Sequence, residues 1–377
     1  MKTINVGIVG FGFMGKTHTY GYKTMPIYYD RLPFRINLRG VCDSVEETAS
    51  NAKEELGFAY ATTNPLEIFN DPDIDVVDIC TPNIFHKEGI LAAVSAGKHI
   101  YCDKPLAANL DEAEEILNAV KNADCINQMA LQYRFLPATL RAKQLINEKK
   151  IGKILSFRAV YLHSGSINPN KPIGWKQDKN FGGGGVLLDL GSHVIDLMYW
   201  LLGEYDSVIA ETRVLYGKRP DKNGILIDIN ADDLALLTVR MKDGSIGTIE
   251  ASKIATGTND ELRFEIHGDK GAVSFNLMEP NWLCYYDNQE PEAPLGGSKG
   301  YTKIECVQRF EKPGGLFPGP KFSIGWIRGH VHSLYNFIDN VYKNTAASPS
   351  FQEGAYVQKV MESAYVSAQT HQWIKIN

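Results

Sequence analysis

Two side chains that could exchange a proton with a substrate follow a run of four glycines. Gly182 to Gly185 precede Asp189 and His193 in the stretch FGGGGVLLDLGSHVIDLMYW. From Val186 on, apolar residues recur with the period of an α-helix, on which Asp189 and His193 are i and i+4 and share one face. A carboxylate beside an imidazole can orient the ring and stabilise its charge when it takes a proton. The pair predicts an acid–base site, although a surface ion pair or a helix cap gives the same pattern.

A third group suited to this chemistry is the ammonium of Lys104. It follows a predicted strand at 99–102 and precedes Pro105, which disfavours helix at Lys104 and keeps it extended. A lysine at the carboxyl end of a strand can stabilise a substrate hydroxyl as it loses its proton. The alternative is an ion pair with a helix carboxylate, which the strand-end position and the proline make less favourable.

A glycine-rich turn near the start of the chain predicts a dinucleotide site. The apolar run INVGIV leads into Gly10, Phe11, Gly12, Phe13, Met14 and Gly15, and a helical pattern follows. In this pattern the first glycine allows a tight turn, the second admits a pyrophosphate, and the third lets helix and strand pack closely. The strand before it and the helix after it strengthen an otherwise weak motif.

An acidic residue at the end of the second predicted strand favours NAD over NADP. Asp43 ends the run NLRGVCD, and no arginine occupies positions 44–46. Such a carboxylate binds the ribose hydroxyls and repels a 2′-phosphate. Asp43 lies further on than the usual ~20 residues because of an insert at 26–35. It could also cap the helix that starts at Val45.

Other strand ends supply the remaining candidates for cofactor contacts. In a doubly wound sheet, ligands lie at the carboxyl ends of the strands. By this rule the stretch from Thr81 to His86 belongs to the cofactor crevice, and we add the end of the next strand and the link to the second domain. The predicted cofactor residues there are Thr81, Pro82, Asn83, His86, Asp103, Lys104 and Gln132.

Four residues beyond this link are candidates for substrate contacts, together with Asp189 and His193. Tyr133 and Arg134 begin the second half, and the arginine could clamp a substrate hydroxyl or phosphate or bind a helix end. His163 ends a predicted strand and Trp175 follows a proline-rich loop. His163 could equally be a polar strand end, and Trp175 a packing aromatic.

The order of predicted elements divides the chain into two domains. Strands and helices alternate through residues 1–130, which predicts a doubly wound, mostly parallel α/β sheet. Residues 131–377 contain successive period-2 strands, typical of an α+β domain with a large, open, mostly antiparallel sheet, and end in a helix that could pack back near the first domain. An uncovered sheet face often forms an oligomer interface, so we expect a homo-oligomer.

Composition excludes several classes of protein. The 377 residues carry a formal net charge of −5 and no Lys/Arg stripe, so nothing favours nucleic acid as a partner. We find no apolar run that we expect to span a bilayer and no signal peptide, and we predict a cytoplasmic protein. The six cysteines have no CxxC spacing, which predicts reduced thiols and no metal site, and disfavours a zinc alcohol dehydrogenase.

The chain resembles the Gfo/Idh/MocA oxidoreductases, the family of glucose–fructose oxidoreductase and inositol dehydrogenase. The resemblance rests on residues 10–15, 81–86, 97–105, 133–137, 151–154 and 182–196. It implies a Rossmann domain, an α+β domain, a nicotinamide nucleotide, and a polyol, sugar or glycoside substrate. It also implies a catalytic lysine and an Asp/His pair, here Lys104, Asp189 and His193. The family's Glu-Lys-Pro motif here reads Asp103-Lys104-Pro105, which shortens the carboxylate at position 103.

Three functions remain open at this point. The first is an NAD-dependent dehydrogenase of sugars, inositols or glycosides, in which His193 removes the hydroxyl proton. The second is a glycoside 3-oxidoreductase or an NAD-dependent glycosidase that keeps and recycles NAD. The third is a sensor that binds NAD without turnover, which the presence of Lys104, Asp189 and His193 argues against.

Overall fold

The computed structural model describes residues 1–307, 312–319 and 322–376. They fall into two compact units. The first contains residues 1–132, 312–319 and 327–358, and the second contains residues 133–307, 322–326 and 359–376. The first unit therefore gains two segments from the C-terminal part of the chain.

The first unit is built on a parallel sheet in the order β3-β2-β1-β4-β5-β6. Its strands are β1 (Lys2–Val9), β2 (Phe34–Cys42), β3 (Tyr60–Thr62), β4 (Val76–Ile79), β5 (His99–Cys102) and β6 (Asn127–Met129). The helices between them are α1 (Phe13–Tyr28), α2 (Glu46–Leu56), α3 (Pro65–Phe69), α4 (His86–Ser95) and α5 (Leu110–Val120). The strand order reverses between β1 and β4, where a doubly wound sheet binds its ligand.

Apolar side chains cover both faces of this sheet, as expected for buried parallel strands. On one face, Ile4, Val6 and Ile8 of β1 share a core with α1 and with the helix at 327–343. On the other face, Val77 and Ile79 share a core with α3, α4 and α5. This two-sided burial confirms the predicted Rossmann-type class of the first half.

The second unit contains a nine-stranded sheet in the order β16-β15-β14-β13-β7-β12-β11-β8-β17. Only the β7–β12 pair within it is parallel. The strands of the second unit, including two outside this sheet, are β7 (Ile154–Leu162), β8 (Tyr205–Arg213), β9 (Lys218–Pro220), β10 (Leu226–Asp228), β11 (Leu234–Met241), β12 (Ile246–Ser252), β13 (Glu261–Gly268), β14 (Gly271–Asn276), β15 (Trp282–Asp287), β16 (Tyr301–Glu305) and β17 (Ile374–Lys375). The large, mostly antiparallel sheet is confirmed; β9 and β10 form a separate ribbon.

The remaining helices are α6 (Pro137–Asn147), α7 (Lys179–Gly182), α8 (Ser192–Leu202), α9 (Ile327–Lys343) and α10 (Phe351–Thr370). Helix α9 belongs to the first unit. Helix α10 contributes its first part to the first unit and the rest to the second.

The helix predicted from Val186 differs from the structure in its first turn. Leu187–Gly191 form a π-helical turn, and the α-helix begins only at Ser192. The apolar spacing was compatible with either form, so the α-helical prediction was wrong for the turn that contains Asp189. π turns occur mostly as short bulges in α-helices, frequently at functional sites.

The same stretch also corrects the statement about membrane spans. Residues Lys179–Leu202 are long and apolar enough, by length and composition alone, to cross a bilayer. Most of this stretch is buried inside the protein, however, and the core helix of a globular domain meets the same criterion.

Candidate active site

The glycine turn of the first unit is closely packed at Gly10 and Gly15 and open at Gly12. Gly10 has a φ of +93°, and a side chain there would lie 2.7 Å from the carbonyl oxygen of Cys80. At Gly15 a Cβ atom would lie 2.2 Å from the carbonyl oxygen of Gly10. A Cβ on Gly12 would meet nothing within 4 Å, so this glycine faces open space at the start of α1. The predicted division of roles among the three glycines fits this geometry. Phe13 is exposed and Met14 half-buried beside them.

Asp43 holds this turn from the neighbouring strand. Its Oδ2 accepts a hydrogen bond of 2.8 Å from the backbone N–H of Phe11, and its Oδ1 accepts one of 2.9 Å from Val45 N–H. The carboxylate therefore fixes the glycine turn and binds the backbone of Val45, the residue that immediately precedes α2. Each oxygen retains a lone pair, which suits it to ribose hydroxyls as well.

Polar atoms without partners lie among the predicted cofactor residues. The buried Oγ1 of Thr81 and the buried Oε1 of Gln132 have no hydrogen-bond partner among the described residues. Buried polar groups are normally paired, so these atoms fit a site that a polar ligand completes. Pro82 beside them is half-buried, and Asn83 is buried.

His86 links two loops that border the predicted cofactor crevice. It is fully buried, and its two ring nitrogens lie 2.8 Å from the carbonyl oxygen of Pro105 and 2.9 Å from that of Thr81. The ring thus joins the loop after β4 to the loop after β5. Burial lowers the pKa of His86 despite the nearby charge of Asp103 and these carbonyls.

Lys104 lies at the end of β5, in the loop that His86 braces. Its backbone N–H donates to Oδ1 of Asp103 at 2.9 Å. The shorter carboxylate at position 103 therefore serves the backbone of the lysine. Lys104 itself is half-buried, which leaves part of its surface accessible.

In the second unit, His193 lies between two tyrosines. Its ring packs edge-on against Tyr133, with centroids 4.9 Å apart, and against Tyr161, with centroids 5.8 Å apart. Only 7% of His193 is exposed, so these rings fix the orientation of its imidazole. Tyr133 was among the predicted substrate residues, whereas Tyr161, inside β7, was not singled out.

Two ammonium groups hold the carboxylate of Asp189. Lys176 Nζ lies 2.6 Å from Oδ1, and Lys253 Nζ lies 3.0 Å from Oδ2. Only 14% of the Lys253 side chain is exposed, against 46% for Lys176. Neither lysine was predicted as a partner of Asp189. Lys253 directly follows β12 and is far from Asp189 in the chain.

Tyr161 also belongs to a chain of hydrogen bonds. Trp326 Nε1–H donates to the Tyr133 hydroxyl at 3.1 Å, and the two tyrosine oxygens are 2.6 Å apart. The Tyr161 hydroxyl donates to Asp260 Oδ1 at 2.6 Å, and His163 Nε2 lies 2.9 Å from the same oxygen. The predicted residue His163 is thus joined to Tyr133 through Tyr161 and Asp260.

The two other predicted substrate residues differ in exposure. Arg134 is only 3% exposed and makes a two-pronged ion pair with Asp196 on α8, with Nε 2.9 Å from Oδ2. Its guanidinium therefore ties the start of this unit to the helix that carries His193. Trp175 is exposed, and the ammonium of Lys176 lies 5.5 Å from the centre of its ring.

A further polar cluster is buried in the first unit. His18 Nδ1 lies 3.0 Å from Asp78 Oδ1 and 3.2 Å from Cys80 Sγ, and the Tyr22 hydroxyl donates to Asp78 Oδ2 at 3.0 Å. Donor atoms of His18, Asp78 and Cys80 lie within 4.8 Å of one another, as in some metal sites. Hydrogen bonds account for this proximity, so the expectation of no metal remains a prediction.

The fold and the glycine cradle together define a dinucleotide-binding oxidoreductase with a separate α+β domain. Residues 4–131 match the family model described as an oxidoreductase family with an NAD-binding Rossmann fold. Residues 143–376 match its companion, the C-terminal alpha/beta domain. The chain belongs to the Gfo/Idh/MocA oxidoreductase family, as its resemblance implied, and its first unit is an NAD-binding domain.

The relatives of this chain include sugar and polyol dehydrogenases. Levoglucosan dehydrogenase of Pseudarthrobacter phenanthrenivorans is 33% identical over 100% of this chain and 99% of its own length. Myo-inositol 2-dehydrogenase of Thermotoga maritima is 29% identical over 76% of this chain and 79% of its own. A solved levoglucosan dehydrogenase with NADH and levoglucosan has a TM-score of 0.95 at 33% identity, and each chain is covered completely.

Proposed function

We propose that this protein oxidises a secondary alcohol of a neutral sugar, anhydrosugar or inositol with NAD. The observation that carries the proposal is the open cradle at Gly12, in a chain that also keeps Lys104, Asp189 and His193. Levoglucosan is the first substrate to test, because the full-length relative at 33% identity is named for it. Bound NAD would supply the hydride acceptor, the C4 atom of its nicotinamide.

His193 is the proposed general base of this reaction. Its imidazole removes the proton of the substrate hydroxyl, and Tyr133 and Tyr161 keep the ring in place. Asp189 supports the ring, and the two lysines that bind Asp189 hold its carboxylate in one position. A fixed orientation matters because proton transfer depends on aligned donor and acceptor atoms.

Lys104 is the proposed stabiliser of the developing alkoxide. An ammonium that donates to the substrate oxygen binds it more strongly as negative charge develops there. Asp103 supports this role, because its carboxylate accepts a hydrogen bond from the backbone of Lys104.

Asp43 supports a preference for NAD over NADP. Its carboxylate is fixed at the glycine turn by two backbone N–H groups, where a 2′-phosphate would meet its charge. We therefore expect NADP to give a much lower kcat/KM than NAD.

A screen that follows NADH absorbance tests this proposal. The purified full-length protein is mixed with NAD and with levoglucosan, free sugars, inositols and glycosides in turn, and sugar products are analysed in parallel. We expect stoichiometric NADH formation with at least one neutral polyhydroxylated compound. Failure of every compound to reduce NAD, despite measurable NAD binding, would support the non-catalytic sensor instead.

The same screen separates the recycling alternative. A glycosidase or glycoside 3-oxidoreductase that retains NAD would change the glycoside without a net gain of NADH. Release of free sugar at constant absorbance at the NADH wavelength would therefore favour that alternative over the dehydrogenase.

A further inference from the structure

The two oxygens of the Asp260 carboxylate differ in their hydrogen bonds: Oδ1 has partners within the protein, and Oδ2 has none among the described residues. Its Oδ1 accepts from Tyr161 at 2.6 Å and is 2.9 Å from His163 Nε2. Among the residues that the structure describes, none donates a hydrogen bond to Oδ2, and no lysine or arginine pairs with the group. The side chain is 35% exposed, so a molecule in solution can reach it.

The chain of hydrogen bonds that ends at Asp260 has a fixed direction. A carboxylate only accepts, so the Tyr161 hydroxyl must give its single proton to Asp260. Tyr133 must then donate to Tyr161, and Trp326 donates to Tyr133. Each donor in such a series polarises the next, which strengthens and orders the series. The position of the carboxylate is therefore determined in advance of any ligand.

The tyrosines of this hydrogen-bonded series contact His193, the proposed base. The rings of Tyr133 and Tyr161 both pack edge-on against His193, and Tyr161 bonds directly to Asp260. Asp260 is thus separated from the imidazole of His193 by one side chain. All of these residues belong to the second unit.

A fixed, partly exposed carboxylate is suited to binding hydroxyl groups. An ionised carboxylate offers about four lone-pair positions and donates nothing, whereas each sugar hydroxyl can donate one proton. Hydrogen bonds to charged groups are also stronger than those between neutral groups. A polyol whose carbinol approached His193 could present a second hydroxyl to Asp260.

We propose that Asp260 binds a hydroxyl group of the substrate through its Oδ2 atom and so determines which polyhydroxylated compounds the enzyme accepts. The inference rests on the proposed function, because it takes His193 as the base that faces the substrate. Asp260 is then a specificity residue, and the reacting carbinol is a different hydroxyl of the same molecule.

Substitution of Asp260 tests this role. We expect Asp260→Asn to raise KM about 10-fold for the sugar with the highest kcat/KM in the NAD-reduction screen, with kcat changed less than about 2-fold. The dissociation constant of that sugar, measured calorimetrically with NADH present, should rise by a similar factor. The control is Asp206→Asn, since Asp206 is also a partly exposed carboxylate of the second unit and forms an ion pair with Lys375.

Monodeoxy derivatives of the same sugar separate recognition from mere support of the fold. In the wild-type enzyme, loss of the hydroxyl that binds Asp260 should reduce kcat/KM about 10-fold, and in Asp260→Ala this particular penalty should vanish. The penalties at the other positions should persist. Each penalty is a ratio within one variant, so a partly unfolded sample does not alter it.

Two results overturn the inference. One is a KM of Asp260→Asn within about 2-fold of the wild-type value, and the other is a full set of deoxy penalties that Asp260→Ala leaves unchanged. Either result with an active wild-type enzyme refutes the role of Asp260 alone. A wild-type protein that neither oxidises nor binds any compound of the screen refutes the proposed function as well.

Discussion

Asp189 and Asp260 are carboxylates of the second unit that each bind a residue far away in the chain, Lys253 and Tyr161 respectively. Asp189 was predicted to orient His193, which stays a prediction, and the structure shows Lys176 and Lys253 as partners of its carboxylate. No local pattern could have revealed Lys253, because its position beside Asp189 depends on the pairing of β12 with β7 and β11. The same holds for Asp260, which meets Tyr161 only through the pairing of β7 with β13.

The two lysines give a prediction for turnover. Lys253→Met should lower kcat about 10-fold, because Asp189 loses its more buried charged partner and with it a fixed orientation. Lys176→Met should have a smaller effect, since its ammonium is more exposed to water. Lys242→Met serves as the control, because Lys242 pairs with Glu204 on the surface. Steady-state kinetics decide the matter; equal kcat values for Lys253→Met and the control would contradict the role given to Lys253.

The buried pair of His18 and Asp78 makes stability depend on pH. Burial alone would lower the pKa of His18, but the charge and hydrogen bond of Asp78 raise it above 6.5. Tyr22, Cys80, Tyr101, Asp103 and His330 are the other titratable groups around this ring. His330 opposes the effect, because burial and the charge of His18 lower its pKa well below 6.5.

A raised pKa stabilises the folded state most at low pH. The contribution of His18 is complete below its unfolded-state pKa of 6.5 and is lost as the pH rises through the raised folded-state value. Asp78→Asn should therefore cost about 3 kcal/mol of unfolding free energy near pH 5.5 and clearly less near pH 9. Urea unfolding at the two pH values measures this, with the exposed Asp73→Asn as the control. A cost that is the same at both pH values would rule out the ionised pair.

Among the secondary-structure elements, the glycine turn before α1 contains one glycine that should affect NAD binding and another that should affect stability. A methyl group at Gly12 meets open space, so Gly12→Ala should keep the thermal midpoint of the free protein and weaken NAD binding at least about 10-fold. Gly15→Ala should lower the midpoint by several degrees, because its Cβ would collide with the carbonyl oxygen of Gly10. Gly217→Ala, also in open space, is the control. Calorimetry with NAD gives both quantities, and unimpaired NAD binding by Gly12→Ala would refute the cradle.

Much of the first unit was predictable from sequence, because its signals are local. The run INVGIV, the GxGxxG turn and the strand-end residues Asp43 and Thr81 each follow from a short pattern with one structural solution. The π turn at Leu187–Gly191 was not predictable in this way, because an apolar face with helical spacing suits either an α or a π turn. Strands β15 and β16 were not predicted either, because the segment between them is rich in glycine and proline.

At the scale of the whole molecule, the outer face of the nine-stranded sheet carries exposed apolar side chains. Leu236 and Ile246 lie on neighbouring strands, and Tyr301 lies towards the β16 edge; they are 43%, 46% and 58% exposed. Exposed apolar surface of this kind marks interaction sites in many proteins. We therefore still expect a homo-oligomer that forms through this sheet.

Light scattering after size-exclusion chromatography tests this expectation. The wild-type protein should elute with the mass of a dimer or a larger oligomer, and Leu236→Glu combined with Ile246→Glu should shift it towards the monomer. The paired control places glutamate at Ile225 and Leu226, which are exposed outside the large sheet. A wild-type protein that is monomeric at all concentrations would contradict the expectation.

The most direct test of the acid–base mechanism compares turnover and NAD binding in His193→Ala and Lys104→Ala. We expect kcat on the true substrate to fall about 10²–10⁴-fold in each variant while the dissociation constant of NAD stays near the wild-type value. His267→Ala, on β13, should match the wild-type enzyme in both quantities. Wild-type turnover in either His193→Ala or Lys104→Ala would contradict the proposed acid–base mechanism.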